Sequence, residues 1–451
     1  MRRGEWRRMS SASPNDRSTP GQPARKAALE ILSQVLRRKR PLDHAAAAVL
    51  DAAALAPRDA GFARVIASAT LRRFGQLQAL IGTFVPKAPL PHKAGPTLEI
   101  LLAGAAELLF LDVAPHAAVD AANRLAQADA KAVHFRPLIN AVLRRVAQEG
   151  AAVIARQDAA VLNTPDWLWR RWIATYGETT ARAIAGAHLA VPPLDVTLKA
   201  LDESSLPDAE CLAPGRLRLK DAGRIEALPG FDDGRWWVQD FAASLPAMLL
   251  GDVAGKRVID LCAAPGGKTM QLASAGARVT AVDAAADRLA LIRKNLARVT
   301  LSADLVAADA RDWQPDEPAP FVLLDAPCLS TGTIRRHPDL PWIKSAADLT
   351  ISESLQSELL DAAAVLTAPG GVLVYAVCSL EPEEGPEQIA AFLRGRTDFV
   401  RAAIAPNEIV EAAFLTPEGD FRTLPSFWAD RGGMDGFYAA RLRKRGLADS
   451  R

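Results

Sequence analysis

The chain has 451 residues, 49% of them hydrophobic and 24% charged, with a formal net charge of +2. This is the mixture of a globular protein long enough for two to four domains, and its charge excludes a surface that grips polyanions everywhere while leaving room for a local basic face. There is no apolar run of about eighteen residues, so no membrane span is expected. Its four cysteines lack CxxC or zinc-like spacing, which predicts free thiols, no bound metal and a reducing, cytoplasmic location.

Residues 1–22 carry Arg2, Arg3, Arg7, Arg8 and Arg17 among Ser, Pro and Asn, without the apolar centre of a secretory signal. Glu5, Pro14 and Asp16 argue against a transit peptide, and the stretch reads as a disordered basic tail. Residues 23–150 read as an all-α bundle. ARKAALEILSQVLRR spaces Ala28, Ile31, Leu32 and Val35 as one helical face, and RDAGFARVIASATLRRFGQLQALIGTFV does the same with Phe62, Val65, Ile66 and Ala69. TLEILLAGAAELLFL is apolar nearly all round, as in a helix at the centre of a bundle. AAVDAANRLAQ and LINAVLRRVAQ complete the set.

Residues 151–245 form a connector of mixed type. It holds the aromatic and basic run TPDWLWRRWIATYG, a strand in PPLDVTLKAL and a strand leading to a helix in RWWVQDFAASLPAMLL. From 246 to 445 the pattern alternates. RVIDL, RVTAVD, DLVAAD and PFVLLD are short apolar runs, with helical stretches separating the first three, as in a parallel doubly wound sheet. GGVLVYAVCS and GFYAARLR are later strands.

The loop Cys262-Ala263-Ala264-Pro265-Gly266-Gly267-Lys268 follows the first of these strands and opens a helix. Its glycines let backbone approach a ligand, and the helix start supplies N–H groups for an anion. The loop is neither GxGxxG nor a Walker loop. Asp283, Asp309 and Asp325 end successive strands on the rim where open sheets bind ligands. One such Asp is readily a helix cap; three in series point to a ligand site.

Cys328 and Cys378 follow strand ends on the same rim. A lone cysteine is usually a small buried hydrophobe, but two beside a cofactor loop fit one particular chemistry. C5 of cytosine is a weak nucleophile. Adding a thiolate at C6 makes C5 an enamine carbon able to attack a sulfonium methyl, after which the C5 proton leaves and the thiolate is expelled. An acid is needed near N3, where Asp325 is placed, and the base must leave its stack.

With these motifs the sequence resembles the RNA cytosine-C5 methyltransferases of the RsmB/NOP class, over nearly its whole length. CAAPGGK at 262–268 is similar to that family's cofactor loop, DAPCLSTGTIRRHPDLPW at 325–342 to its first cysteine motif, and VCSLEPEEG at 377–385 to its second. The resemblance implies a Rossmann-like methyltransferase domain. It implies that S-adenosyl-L-methionine contacts Cys262, Ala263, Ala264, Pro265, Gly266, Gly267, Lys268, Asp283, Asp309 and Asp325. It makes Cys378 the nucleophile and gives Cys328 a part in product release, through removal of the C5 proton. Arg335, Arg336 and His337 would lie near RNA. RDAGFARVIASATLRR and LINAVLRR resemble the NusB-like RNA-binding domain, and this fusion is similar to bacterial enzymes acting on small-subunit rRNA. Leu329-Ser330-Thr331 departs from the family's usual Ser-Gly-Thr or Ser-Ala-Thr, and Val377 from its usual Thr.

The expected partner is therefore rRNA, with no membrane and no metal, and a monomer is the default. The same chemistry on tRNA, or an inactive RNA-binding assembly factor, are the alternatives; a nicotinamide oxidoreductase would call for GxGxxG. Arg72, Arg73, Arg144 and Arg145 are the first candidates for phosphate contact. The cluster Trp167, Trp169, Arg170, Arg171 and Trp172 reads either as a base-stacking surface or as a packed helix.

Overall fold

The computed structural model describes residues 21–85, 87, 91–201, 206, 208–220 and 222–446; all but the last two residues of the expected basic tail lie outside these. The chain divides into two compact units, Met1–Gln157 and Asp158–Arg451.

The first unit is helical. Gln22–Arg38 buries Ala28, Ile31, Leu32 and Val35, the face its spacing predicts. The second predicted helix is two, Pro57–Arg72 and Phe74–Phe84, broken at Arg73 where ψ swings to 17°. Its buried face is Ala63, Ile66, Ala67 and Thr70, about one position round from the expected one, and Val65 is exposed. Small side chains on that face let the helix lie close against Gln22–Arg38, while Phe62 sits 5.2 Å beneath the Arg25 guanidinium. The helix Leu42–Ala53 was hidden in the sequence because alanine carries much of its buried face: Leu42, Ala45, Ala46, Val49 and Leu50.

Thr97–Phe110 is buried nearly all round, two of its carboxylates included. Glu107 takes three hydrogen bonds of 2.6–3.1 Å from Arg25, and Glu99 is held by Arg37 at 2.5 Å. Burial raises the Glu107 carboxyl above its ordinary range despite Arg25.

The second unit opens with the helices Ala159–Leu162, Asp166–Tyr176 and Glu178–His188. A small antiparallel sheet follows: β1 Leu194–Leu198, β2 Glu210–Ala213, β3 Arg216–Leu219 and β4 Trp236–Val238, in the order β2-β3-β1-β4. Asp240 then caps the helix Phe241–Met248 through the Ala242 N–H.

The large sheet comprises β5 Arg257–Leu261, β6 Arg278–Asp283, β7 Asp304–Ala307, β8 Ala319–Asp325, β9 Thr367–Val377, β10 Phe399–Arg401, β11 Phe421–Arg422 and β12 Tyr438–Lys444. Its order is β10-β12-β9-β8-β5-β6-β7, with β11 against β12. The five strands from β9 to β7 are parallel, as the alternating pattern predicts. The closing strand β12 instead runs antiparallel to both β9 and β10, which gives an otherwise parallel sheet an antiparallel edge. Helices cover both faces over cores that include Ile259, Leu324, Tyr375 and Leu442 on one side and Val258, Leu323, Val374 and Ala439 on the other.

Two backbone contacts fix the loops above this sheet. The Gly332 N–H donates to the Cys378 carbonyl at 3.0 Å, and the Gly436 N–H donates to the Gly332 carbonyl at 2.8 Å. A β-carbon at 332 would lie 2.0 Å from the Gly436 oxygen, so only glycine allows these three segments to meet.

Glu107→Ala, which leaves the Arg25 charge buried without its counter-ion, should destabilise the first unit by about 3 kcal/mol in urea unfolding. An unchanged midpoint would show that the pair contributes nothing net. Gly332→Ala should cost the second unit about 2 kcal/mol or more, because backbone must separate to admit the methyl; a variant as stable as the parent would contradict the clamp.

Candidate active site

Because β5, β6, β8 and β9 are parallel, the residues that end them gather on one rim. β8 and β9 are neighbours with Asp325 opposite Ala376, and the Ala326 N–H donates to the Ala376 carbonyl at 2.8 Å. Cys328 is three residues past Asp325 and Cys378 two past Ala376, so this register brings the thiols together. Their sulfurs are 3.5 Å apart. Lys268, in the first turn of Gly267–Ser274 after β5, donates from Nζ to Asp325 Oδ2 at 2.7 Å. The same ammonium lies 5.2 Å over the Phe437 ring.

The two thiols are unequal. Cys328 is raised well above its ordinary value by the hydrogen bond to Cys378, burial, the charge of Cys378 and the charge of Glu384. Cys378 is lowered by the bond from Cys328, against burial and the Asp325 charge, with help from Ser330 and Lys268. Of the pair, Cys378 therefore gives up its proton more readily and Cys328 keeps its own. The other cysteines differ: burial, then Asp283 and Asp325, push the Cys262 thiol up to about 12, and Cys211 is exposed on β2.

Each cysteine loop is held by neighbouring side chains, of which Arg171 and Trp172 are singled out in the sequence and Gln356, Glu384 and Tyr176 are not. Buried Glu384 accepts the Leu329 N–H at 3.0 Å and the Gln356 amide at 3.0 Å, and Gln356 also donates to the Pro327 carbonyl at 2.9 Å. The loop after Cys378 rests on the helix Asp166–Tyr176. Arg171 pairs with Glu381 at 2.6 Å and Glu383 at 2.5 Å, Trp172 donates to Glu381 at 3.1 Å, and the Tyr176 hydroxyl donates to the Leu380 carbonyl. Of the two readings of this aromatic and basic helix, packing is the one seen for Arg171 and Trp172. The acidic residues of VCSLEPEEG, opposite a basic helix, were the available signal.

Arg335 and Arg336, expected near RNA, have their guanidinium groups turned to carboxylates of this chain. Both pair with Asp240 and Asp435, at 2.6–3.1 Å, and Arg335 is 2% exposed. They anchor the first cysteine motif from beneath. Burial pushes the Asp240 carboxyl up, but Arg336 and Arg335 outweigh it and hold it far below the ordinary range. Beside them Asp195 and Arg218 form a second buried pair at 2.7 Å. In the first unit, Arg73 lies 4.9 Å over Phe110, and Arg145 lies 4.2 Å over Phe84 while pairing with Glu149.

Further along the rim, Gly266 takes a left-handed φ of 98° at the start of Gly267–Ser274. Asp283 receives the N–H groups of Ala264 and Ala285, each at 3.1 Å, and lies 3.4 Å from Arg288. Asp309, just past β7, is held low by Arg311, whose guanidinium and N–H it accepts at 2.6–3.0 Å. The loop thus meets Asp283 through Ala264 and Asp325 through Lys268. Asp309 makes its bonds with its own turn. Carboxylate acceptors along one rim, next to an ammonium and a helix start, form a donor set suited to a ligand with hydroxyls, an amino group and a carboxylate. Asp260 beneath the loop is fully buried, hydrogen-bonded by Thr269 at 2.6 Å, and raised by burial to about 7. Among the described residues, no cluster of three or more His, Cys, Asp or Glu is arranged to hold a metal, and no helix is long and apolar enough to cross a membrane.

Comparison with known proteins accords with this geometry. A family model described as 16S rRNA methyltransferase RsmB/F matches residues 247–443, and one for the NusB family matches 22–148. Ribosomal RNA small subunit methyltransferase B of Pseudomonas putida is 37% identical over 445 residues, covering 93% of this chain and 98% of its own length. The corresponding protein of Pseudomonas syringae pv. tomato is 36% identical, with 94% and 98% covered. Among solved structures, NSun6 from Pyrococcus horikoshii with SFG aligns at a TM-score of 0.54 and 18% identity, over 62% of this chain and 98% of that one, which is a likeness of fold. A NusB-type helical unit, a methyltransferase sheet and identity of this order along nearly the full length of such relatives show that the chain belongs to the S-adenosylmethionine-dependent 16S rRNA methyltransferase family, beside small subunit methyltransferase B.

Proposed function

We propose that this chain methylates C5 of a cytosine in 16S rRNA through a covalent bond between Cys378 and C6, in the cytoplasm. The observation that carries the reading is the pair of thiols 3.5 Å apart on the cofactor rim, with Cys378 lowered and Cys328 raised. Nucleophilic attack needs a thiolate, and a later proton transfer needs a second group beside it.

S-adenosylmethionine, when bound, supplies an electrophilic sulfonium methyl. The residues proposed to hold it are Cys262 to Lys268, Asp283, Asp309 and Asp325. The Cys378 thiolate adds to C6, and the ring takes a proton at N3 from the Lys268–Asp325 pair, so C5 gains enamine character. Once C5 carries the methyl, its proton must leave and the C6–sulfur bond must break. Here the inequality of the thiols changes. The hydrogen bond and charge of the Cys378 anion are main causes of the raised Cys328 thiol. Bonding Cys378 to carbon removes both, so Cys328 loses its proton more readily at the stage when a base is needed. Removal of the C5 proton by Cys328 expels Cys378 as a thiolate, and return of the N3 proton to the Lys268–Asp325 pair restores the neutral aromatic ring. The flipped-out base gives both sulfurs access to its faces. The helical unit is proposed to contribute RNA binding, in keeping with its NusB family match.

Incubation with labelled S-adenosylmethionine and unmodified small-subunit rRNA should yield 5-methylcytosine. Cys378→Ala should abolish transfer and form no denaturation-resistant RNA adduct, while Cys328→Ala should accumulate that adduct. Full activity in Cys378→Ala would refute the nucleophile, transfer to tRNA alone would move the substrate, and rRNA binding without transfer would favour an assembly factor. Since the thiolate is the alkylated form, a lowered Cys378 should react with iodoacetamide at lower pH than Cys328. Peptide mass spectrometry at early times reads this order directly, and Cys328 reacting first would reverse the assignment.

A further inference from the structure

Ser330 stands between the two cysteine loops. Its Oγ is 3.4 Å from Cys378 Sγ, 3.8 Å from Cys328 Sγ and 3.4 Å from the Cys328 carbonyl oxygen. Its backbone is left-handed, with φ 60° and ψ 27°, at the start of the turn Thr331–Thr333. A side chain other than glycine, or the locally bonding Asn and Asp, is disfavoured there, and such strain is retained where surrounding structure and function hold it. The turn itself does not call for the hydroxyl: the Ser330 contribution is its carbonyl, which accepts the Thr333 N–H and hydroxyl, each at 2.9 Å.

We propose that Ser330 is a further catalytic residue, whose hydroxyl donates to the Cys378 sulfur and holds it as the attacking anion. This rests on the reading of Cys378 as nucleophile. A hydroxyl has one proton to give. With Cys378 protonated, that proton can go to the Cys328 carbonyl. With Cys378 ionised, rotation about the Cβ–Oγ bond turns it to the sulfur, where the bond is charge-assisted and stronger. The groups facing Cys378 are then accounted for. Cys328 and Ser330 are the neutral donors; Lys268 is the cation, acting through space; Asp325 is the anion that opposes ionisation. Glu384 and Tyr375 lie on the Cys328 side. Of the two neutral donors, only Ser330 stays in place when Cys328 later gives up its proton, so it can also receive the thiolate expelled from C6.

The test compares the full chain with Ser330→Gly and Ser330→Ala. Each is followed by Cys378 alkylation against pH without RNA or cofactor, by thermal melting, and by methyl transfer. Glycine relieves the left-handed backbone, so Ser330→Gly should melt no lower than the parent. Its Cys378 alkylation midpoint should nevertheless rise by about one pH unit, and kcat should fall about tenfold with KM for rRNA unchanged, one unit being a tenfold change in thiolate. Ser330→Ala should show the same midpoint shift. A purely structural serine predicts an equally stable Ser330→Gly that keeps the parent's alkylation midpoint, and that result would overturn the proposal. Because alkylation needs no RNA, an unmoved midpoint counts against Ser330 alone. A moved midpoint in a protein that never forms an RNA adduct supports the hydrogen bond and counts against the nucleophile.

Discussion

The site depends on the parallel pairing of β8 with β9. With Asp325 opposite Ala376, two segments of the chain leave adjacent strand ends in the same direction, and a thiol two or three residues further along each is brought beside the other. Slipping the pairing by one residue would turn every side chain of one strand to the opposite face. The register is protected accordingly. Leu324 and Tyr375 are buried in one core and Leu323 and Val374 in another, so neither strand can shift without exposing apolar residues on one side and burying the wrong ones on the other. The inequality of the two thiols is a consequence of this packing, which sets their sulfurs 3.5 Å apart.

Around that pair the protein spends buried charge on holding loops rather than on touching solvent. Arg335 and Arg336 meet Asp240 and Asp435 beneath the first cysteine motif, and Arg171 meets Glu381 and Glu383 beneath the second. A buried ion pair adds little net stability compared with a well-packed apolar contact. Its geometry is specific, however, and removing one partner is expensive, so such pairs keep a loop in one place. Gly332 completes the arrangement by letting the backbone near Cys378, the turn after Cys328 and the lead into β12 meet without side chains between them.

Much of this was legible in the sequence. The strand runs, the glycine loop and the two cysteines all belong to local patterns, and parallel topology follows from their alternation. Other features were not, for identifiable reasons. The buried face of Pro57–Arg72 sets the small residues Ala63, Ala67 and Thr70 beside Ile66 and Leu71, so hydrophobicity alone pointed to Phe62 and Val65 as well as Ile66. The direction of β12 depends on the path of the chain between β10 and β12, which carries no periodic signal. Arg335 and Arg336 read as RNA contacts because their partners, Asp240 and Asp435, lie about a hundred residues away on either side. The roles of Ser330 and Glu384 are visible only when loops far apart in sequence are brought together.

The central claim is that Cys378 forms the bond to the base, and the most direct measurement is to trap that bond. An rRNA substrate carrying 5-fluorocytidine lets the thiolate add at C6, but fluorine cannot leave C5 as a proton does, so the adduct persists. After digestion, mass spectrometry of the protein–RNA conjugate identifies the attached residue. The account predicts a methylated fluorocytidine on the peptide bearing Cys378. Attachment at Cys328, or methyl transfer to ordinary rRNA with no trapped conjugate at any cysteine, would contradict it.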